Sequence, residues 1–239
     1  MEIEGYLRPQ LDQLNSIFAE SVREAEIHVA LTKALDSISR LEQFPRSLPK
    51  KEETFLYVKA IEELQYSLLL VSVGNYRHAY SSLRLFFELF LAGVEFGVNL
   101  RYLRAWKLGK DDIFWSRLSD DQDGVLSKNF CALFFPELAD ESKHFRSIAV
   151  AVYRECSEFV HGNPRATSSL PVSLQFKKET VLDWSNKLDT MCLVITFVLA
   201  VRYLPELTPE NREPLKETML DQLGHLTPIR DELGGVIGG

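Results

Sequence analysis

The chain has 239 residues, 46% of them hydrophobic and 26% charged, proportions of a soluble globular protein whose core needs no disulfide or metal staple. A net charge of −7 excludes binding of long nucleic acid through the whole surface field, so any such contact must rest on a local cationic patch. Cys131, Cys156 and Cys192 are odd in number, widely spaced and set among apolar neighbours, which reads as buried thiols of a reducing compartment and not as a disulfide framework or zinc site.

The opening "MEIEGYLRPQ" is acidic and polar, unlike a secretory leader. From Leu7, apolar residues recur at Leu11, Leu14, Phe18, Val22, Ala25 and Val29, then at Leu31, Leu35, Ile38 and Leu41. Steps of three and four put them on one helical stripe. Pro9 suits a first helical turn, and Pro45 and Pro49 end the element. Unbroken, such a helix would run about 50 Å. That exceeds what a compact domain needs, so it bends back on its own domain or packs against a second subunit.

A second helix is predicted from about Glu52 to Val73, with Gly74 of "VGNY" as its cap. A third runs from Tyr76 to Leu108 and closes at Gly109. Residues 111–140 are less regular, with the acidic loop "SDDQDG" (119–124) and with Pro136 interrupting "CALFFPEL". A helix from about Asp140 to Val160 precedes the loop "GNPRATSSLPVS" (162–173), and long and short helices follow at Lys178–Tyr203 and near 209–223. Only "PVSLQF" (171–176) alternates with a strand's period. The fold class is therefore all-α: a helical extension over 1–50 that serves pairing or partner binding, a helical domain over 51–205, and a short helix with a Gly-rich tail over 206–239. The apolar runs "MCLVITFVLAV" (191–201) and "LRLFFELFLAGVEFGV", the latter interrupted by Glu88 and Glu95, fall short of the roughly 20 residues of a bilayer span. Both are expected to be buried core helices, with no membrane contact and a cytoplasmic location. No HExxH, CxxC, GxGxxG, Walker A or GxSxG pattern occurs, so neither metal nor cofactor is expected.

Two stretches carry possible chemistry. In "YRECSEFVHG" (153–162), Arg154 and His161 stand seven positions apart, about 20° short of two helical turns, and so share a face. Glu158 is placed for an i,i+4 pair with Arg154. His161 falls in the last turn, where the helix dipole favours a cation, with Gly162 as the cap. A structural role and a catalytic one both fit. In "RYLRAWKLGK" (101–110), Arg101, Arg104, Lys107 and Lys110 interleave with Tyr102 and Trp106, which suits a single-stranded nucleic-acid track. Steps of three drift by about 60° each, so a solvated helix end explains the row equally well. His78 lies among helix-forming apolar residues and reads as a hydrogen-bonded histidine, not a ligand.

An arginine followed after a short gap by a histidine, near the end of a helix in an all-α chain, resembles the signature of the HEPN superfamily. Here six residues, "ECSEFV", intervene. "YRHAYSSLRLFFELFLAGVEF" resembles the long paired helices that precede the motif in that family, and "FKKETVLDWSNKLDTMCLVITFVLAVRYL" the helix that follows it, so the likeness covers roughly 52–205. It implies metal-independent RNA cleavage by an effector of a stress, toxin–antitoxin or phage-defence system. His161 would act as general base or acid at the ribose 2′-OH and the leaving 5′-oxygen. Arg154 would fork onto the scissile phosphate, and the site would be completed across a homodimer. Glu155 departs from the smaller polar residue common after the arginine, and a carboxylate there would repel substrate. The family also includes non-enzymatic modules, so the second reading is a helical module that binds a partner protein, the NTPase or nucleotidyltransferase component of such a system.

Overall fold

The first apolar stripe is cut at Glu24. Helix α1 spans Ile3–Arg23 and α2 spans Ala25–Ser47. Between them Glu24 is extended, and its carboxylate accepts the Ile27 N–H at 2.8 Å, capping α2 with a negative charge at the positive end of its dipole. In the computed structural model, which describes residues 3–48, 51–161, 163–164, 170–171 and 173–234, the expected long helix is thus two shorter ones. Pro9 lies inside α1, not in its first turn, because the helix starts earlier than the apolar stripe does. It leaves one backbone carbonyl without its i→i−4 donor.

Helices α3 (Thr54–Ser72) and α4 (Tyr76–Val98) form an antiparallel hairpin. Its turn needs Gly74, which sits at φ +77°, and the Asn75 N–H returns to the Leu70 carbonyl at 2.9 Å, as in a left-handed helix cap. Farther along, a Cβ at Gly93 would lie 2.4 Å from the Tyr57 ring, so the glycine sets how closely the two helices approach. The predicted third helix breaks ten residues early. Asn99 leaves helical geometry (φ −123°, ψ 70°) and donates its amide to Glu95 Oε1 at 2.9 Å, a local side-chain bond that competes with helix continuation. A separate helix α5 (Leu100–Lys107) follows and closes at Gly109, φ +65°.

Short helices α6 (Trp115–Leu118) and α7 (Lys128–Phe134) and a 3-10 turn over Pro136–Glu141 lead into α8 (Ser142–Val160). Helices α9 (Lys178–Tyr203), α10 (Pro209–Leu223) and α11 (Thr227–Glu232) complete the chain, the last unanticipated. Among the described residues every regular element is helical, and within the alternating stretch residues 173–176 form no strand.

The apolar Lys178–Glu206 segment is long enough to cross a bilayer by length and composition, yet 78% of its most apolar window is buried inside the bundle. Phe197 stacks on Phe145 of α8 at 3.8 Å between ring centroids. Trp184 donates its indole N–H to Ser67 Oγ at 2.8 Å, and Ser67 donates to the Ala79 carbonyl at 2.7 Å, tying α9 to both arms of the hairpin. Burying each such ring stabilises the fold by roughly 1.5–3 kcal/mol. One contiguous buried cluster runs from Ile27 in α2 to Leu233 after α11, so the segments before 51 and after 205 share the core of the central one. The three cysteines are buried free thiols, each pushed up to about 12 by burial.

Candidate functional site

The last turn of α8 is held from two sides. Phe159 stacks on Tyr80 of α4 at 4.0 Å, and Tyr80 donates its hydroxyl to Asp183 of α9. Arg77, in the first turn of α4, donates to the Val160 carbonyl at 3.2 Å, placing a cation at the negative end of the α8 dipole. Earlier on the same helix, Tyr153 stacks on Trp115 at 3.7 Å and donates to Glu88 Oε1 at 2.6 Å. Burial and the Glu88 charge push the Tyr153 phenol up to about 12, so it stays a neutral donor.

On this anchored helix the sequence-selected pair faces water. The Arg154 side chain is 79% exposed, and among the described residues its one ion pair, to Glu158, is a loose 3.8 Å, beyond hydrogen-bond length. His161 is exposed at the C-cap, still near helical geometry (φ −78°, ψ 0°). Among the described residues its ring has no hydrogen-bond partner. The predicted Gly162 cap lies outside the described residues. Two exposed groups of these types, on one face of a rigid helix end, can fork onto a phosphate and exchange a proton with a neighbouring hydroxyl.

Glu155 is not left beside this pair as a bare charge. Its carboxylate reaches Lys187 of α9 at 2.8 Å, and Lys187 also binds Asp183 at 2.6 Å. Burial works against the Lys187 charge, but the two carboxylate bonds outweigh it and raise its pKa. Arg77 and Lys187 were invisible as site neighbours because each lies far from 154–161 in sequence, on a different helix. The nearest clue is the lone lysine in the mainly apolar face of "VLDWSNKLDTMCL".

The second cationic row does not join the first. Helix α4 has 23 residues and spans about 33 Å. Arg77 at its start meets the end of α8, whereas α5 begins beyond its other end. Arg104 and Lys107 both pair with Glu52, at 3.3 and 3.4 Å, and Lys107 lies over the Phe55 ring. Trp106 stacks against Phe55, and Tyr102 lies beneath the Arg117 guanidinium. Both aromatics thus already have partners within the chain. Arg101 is exposed in the first turn of α5.

Compared with family models, curated proteins and solved structures, the chain matches none of them.

Proposed function

We propose that the chain is a HEPN-like, metal-independent endoribonuclease, with Arg154 as phosphate anchor and His161 as proton-transfer group, serving as a cytoplasmic stress, toxin or phage-defence effector. The observation that carries this reading is the exposure of both groups on one face at the anchored end of α8, with the intervening Glu155 ion-paired to Lys187. Neutral His161 would take the ribose 2′-OH proton as the 2′-oxygen attacks phosphorus. The Arg154 fork would stabilise the extra charge on the phosphoryl oxygens. The leaving 5′-oxygen needs a proton from a second group, and a second copy's histidine across a homodimer would supply it. Products would carry 2′,3′-cyclic phosphate and 5′-hydroxyl ends. In this reading Arg101 and the ion-paired Arg104 and Lys107 could touch only a distant part of a long RNA.

The test is incubation of purified protein with mixed RNA in EDTA, with end-group analysis. Cyclic-phosphate ends that disappear on His161→Ala support the enzyme, and a rate loss of about 10²- to 10⁴-fold is expected for removal of acid–base help. A folded wild type that cuts nothing, also with its natural partner added, sinks it.

One feature favours the non-catalytic reading. Phe18 of α1, Leu35 of α2 and Leu69 of α3 are 47%, 58% and 58% exposed around an apolar groove of about 460 Å³. A partner protein, such as an NTPase or nucleotidyltransferase component, could dock a helix there.

A further inference from the structure

Between the C-terminal end of α4 and the segment carrying α5, α6 and α7 lies a cavity of about 590 Å³, within the range of small-molecule sites. Glu95 lines it from α4 and is only 3% exposed. One of its carboxylate oxygens accepts the Asn99 amide at 2.9 Å. Among the described residues the other has no donor, and no salt bridge reaches either oxygen. Buried carboxylates are ordinarily paired with a cation, because leaving one unpaired costs several kcal/mol. Among the described residues of the cavity wall the one guanidinium is Arg117, which binds both oxygens of Asp111, at 3.0 and 3.2 Å, rests on the Tyr102 ring at 4.2 Å, and reaches Glu95 only through its field.

The loop over 120–123 adds more negative charge to the cavity lining. Asp120 accepts the backbone N–H groups of Gln122 and Asp123, both at 2.9 Å, and these bonds lower its pKa and keep it ionised. The same bonds fix the loop that presents Asp123. The turn is tight enough that a Cβ at Gly124 would lie 2.6 Å from the Leu118 and Asp120 carbonyl oxygens. Among the described residues the Asp123 carboxylate has no ion pair. Burial raises the Glu95 pKa and the Asp123 charge adds to that, against the Asn99 bond and Arg117. Phe130 supplies aromatic wall together with Tyr102 and Phe134, one face of each of the latter lying under a guanidinium, Arg117 and Arg202. Among the described residues no three His, Cys, Asp or Glu side chains converge closely enough to hold a metal ion. Spread carboxylates with aromatic walls fit a cation carried on a hydrocarbon body.

We propose that this cavity binds a small organic ammonium, with Glu95 and Asp123 as its counter-ions and the Tyr102, Phe130 and Phe134 rings against its body. The site is independent of the RNA-cleavage reading. Isothermal titration of the full chain with tyramine, cadaverine and agmatine, and with 4-hydroxyphenylacetate as an anion of tyramine's shape, tests it. At least one ammonium should bind saturably at one site per chain, and the anion should not. Glu95→Gln should weaken that binding at least about tenfold and Asp123→Asn about threefold, while His161→Ala leaves it unchanged. If Glu95→Gln fails to fold, the exposed Asp123→Asn carries the test alone. No saturable binding of any of the three ammonium probes up to about 10 mM, or binding indifferent to these carboxylates, would overturn the proposal.

Discussion

At the N-terminal end of α4, Arg77 caps α8 while Arg154 and His161 stand in solvent; at its C-terminal end, Glu95 carries a carboxylate into the interior beside a cavity. Exposed charges lose little hydration, so the first end can display cations at almost no cost to stability. The second end departs from ordinary folding economy, because a buried acid with no direct salt bridge among the described residues weakens the fold that carries it. A group kept against stability is a stronger pointer to a ligand than an exposed one. Even so, only the exposed end carries groups suited to attack on a phosphodiester.

The interior between these ends sets the largest expected effect. Phe145 stacks on Phe197 and is 1% exposed, so Phe145→Ala should cost about 3–5 kcal/mol, measured by urea unfolding. A loss below about 1 kcal/mol would mean that α8 is not anchored as described, and both ends would lose their frame. A smaller effect separates the ends. Lys187 has an 11% exposed side chain between Glu155 and Asp183, so Lys187→Met should cost about 1–3 kcal/mol. It should also slow RNA cleavage by restoring the Glu155 charge beside Arg154, while ammonium binding at the far cavity stays unchanged.

The smallest effect depends on pH. Burial holds the Glu95 carboxyl above its ordinary 4.5. Between that value and the raised one, the folded chain keeps a Glu95 proton that the unfolded chain has released, so the Glu95 contribution to stability falls as pH rises. Glu95→Gln stays neutral. Its melting temperature relative to wild type should therefore be lowest at acid pH and climb as pH rises through the raised Glu95 pKa. A difference that does not change with pH would show that Glu95 is not the buried acid described.

Much of this was legible in the sequence where local chemistry decides. Gly74 and Gly109 marked helix ends because left-handed backbone favours glycine, and the Lys178–Tyr203 helix followed from its long apolar run and flanking polar residues. The breaks at Glu24 and Asn99 were missed because each depends on one side chain bonding its own neighbourhood, to the Ile27 N–H and the Glu95 carboxylate, within otherwise continuous apolar patterns. Arg154 and His161 could be paired by helical arithmetic alone. The Glu155–Lys187 pair and the Glu95 cavity could not, since they join helices far apart in the chain, although Glu95 was visible as a lone acid in "FLAGVEFGV".

The most direct measurement is cleavage of mixed RNA in EDTA by wild type, His161→Ala and Glu95→Gln side by side, each first shown to be folded by circular dichroism. Wild type and Glu95→Gln should leave 2′,3′-cyclic phosphate ends at similar rates, with a loss of about 10²- to 10⁴-fold in His161→Ala. Equal cleavage by His161→Ala, or none by folded wild type with its natural partner present, would contradict the endoribonuclease reading.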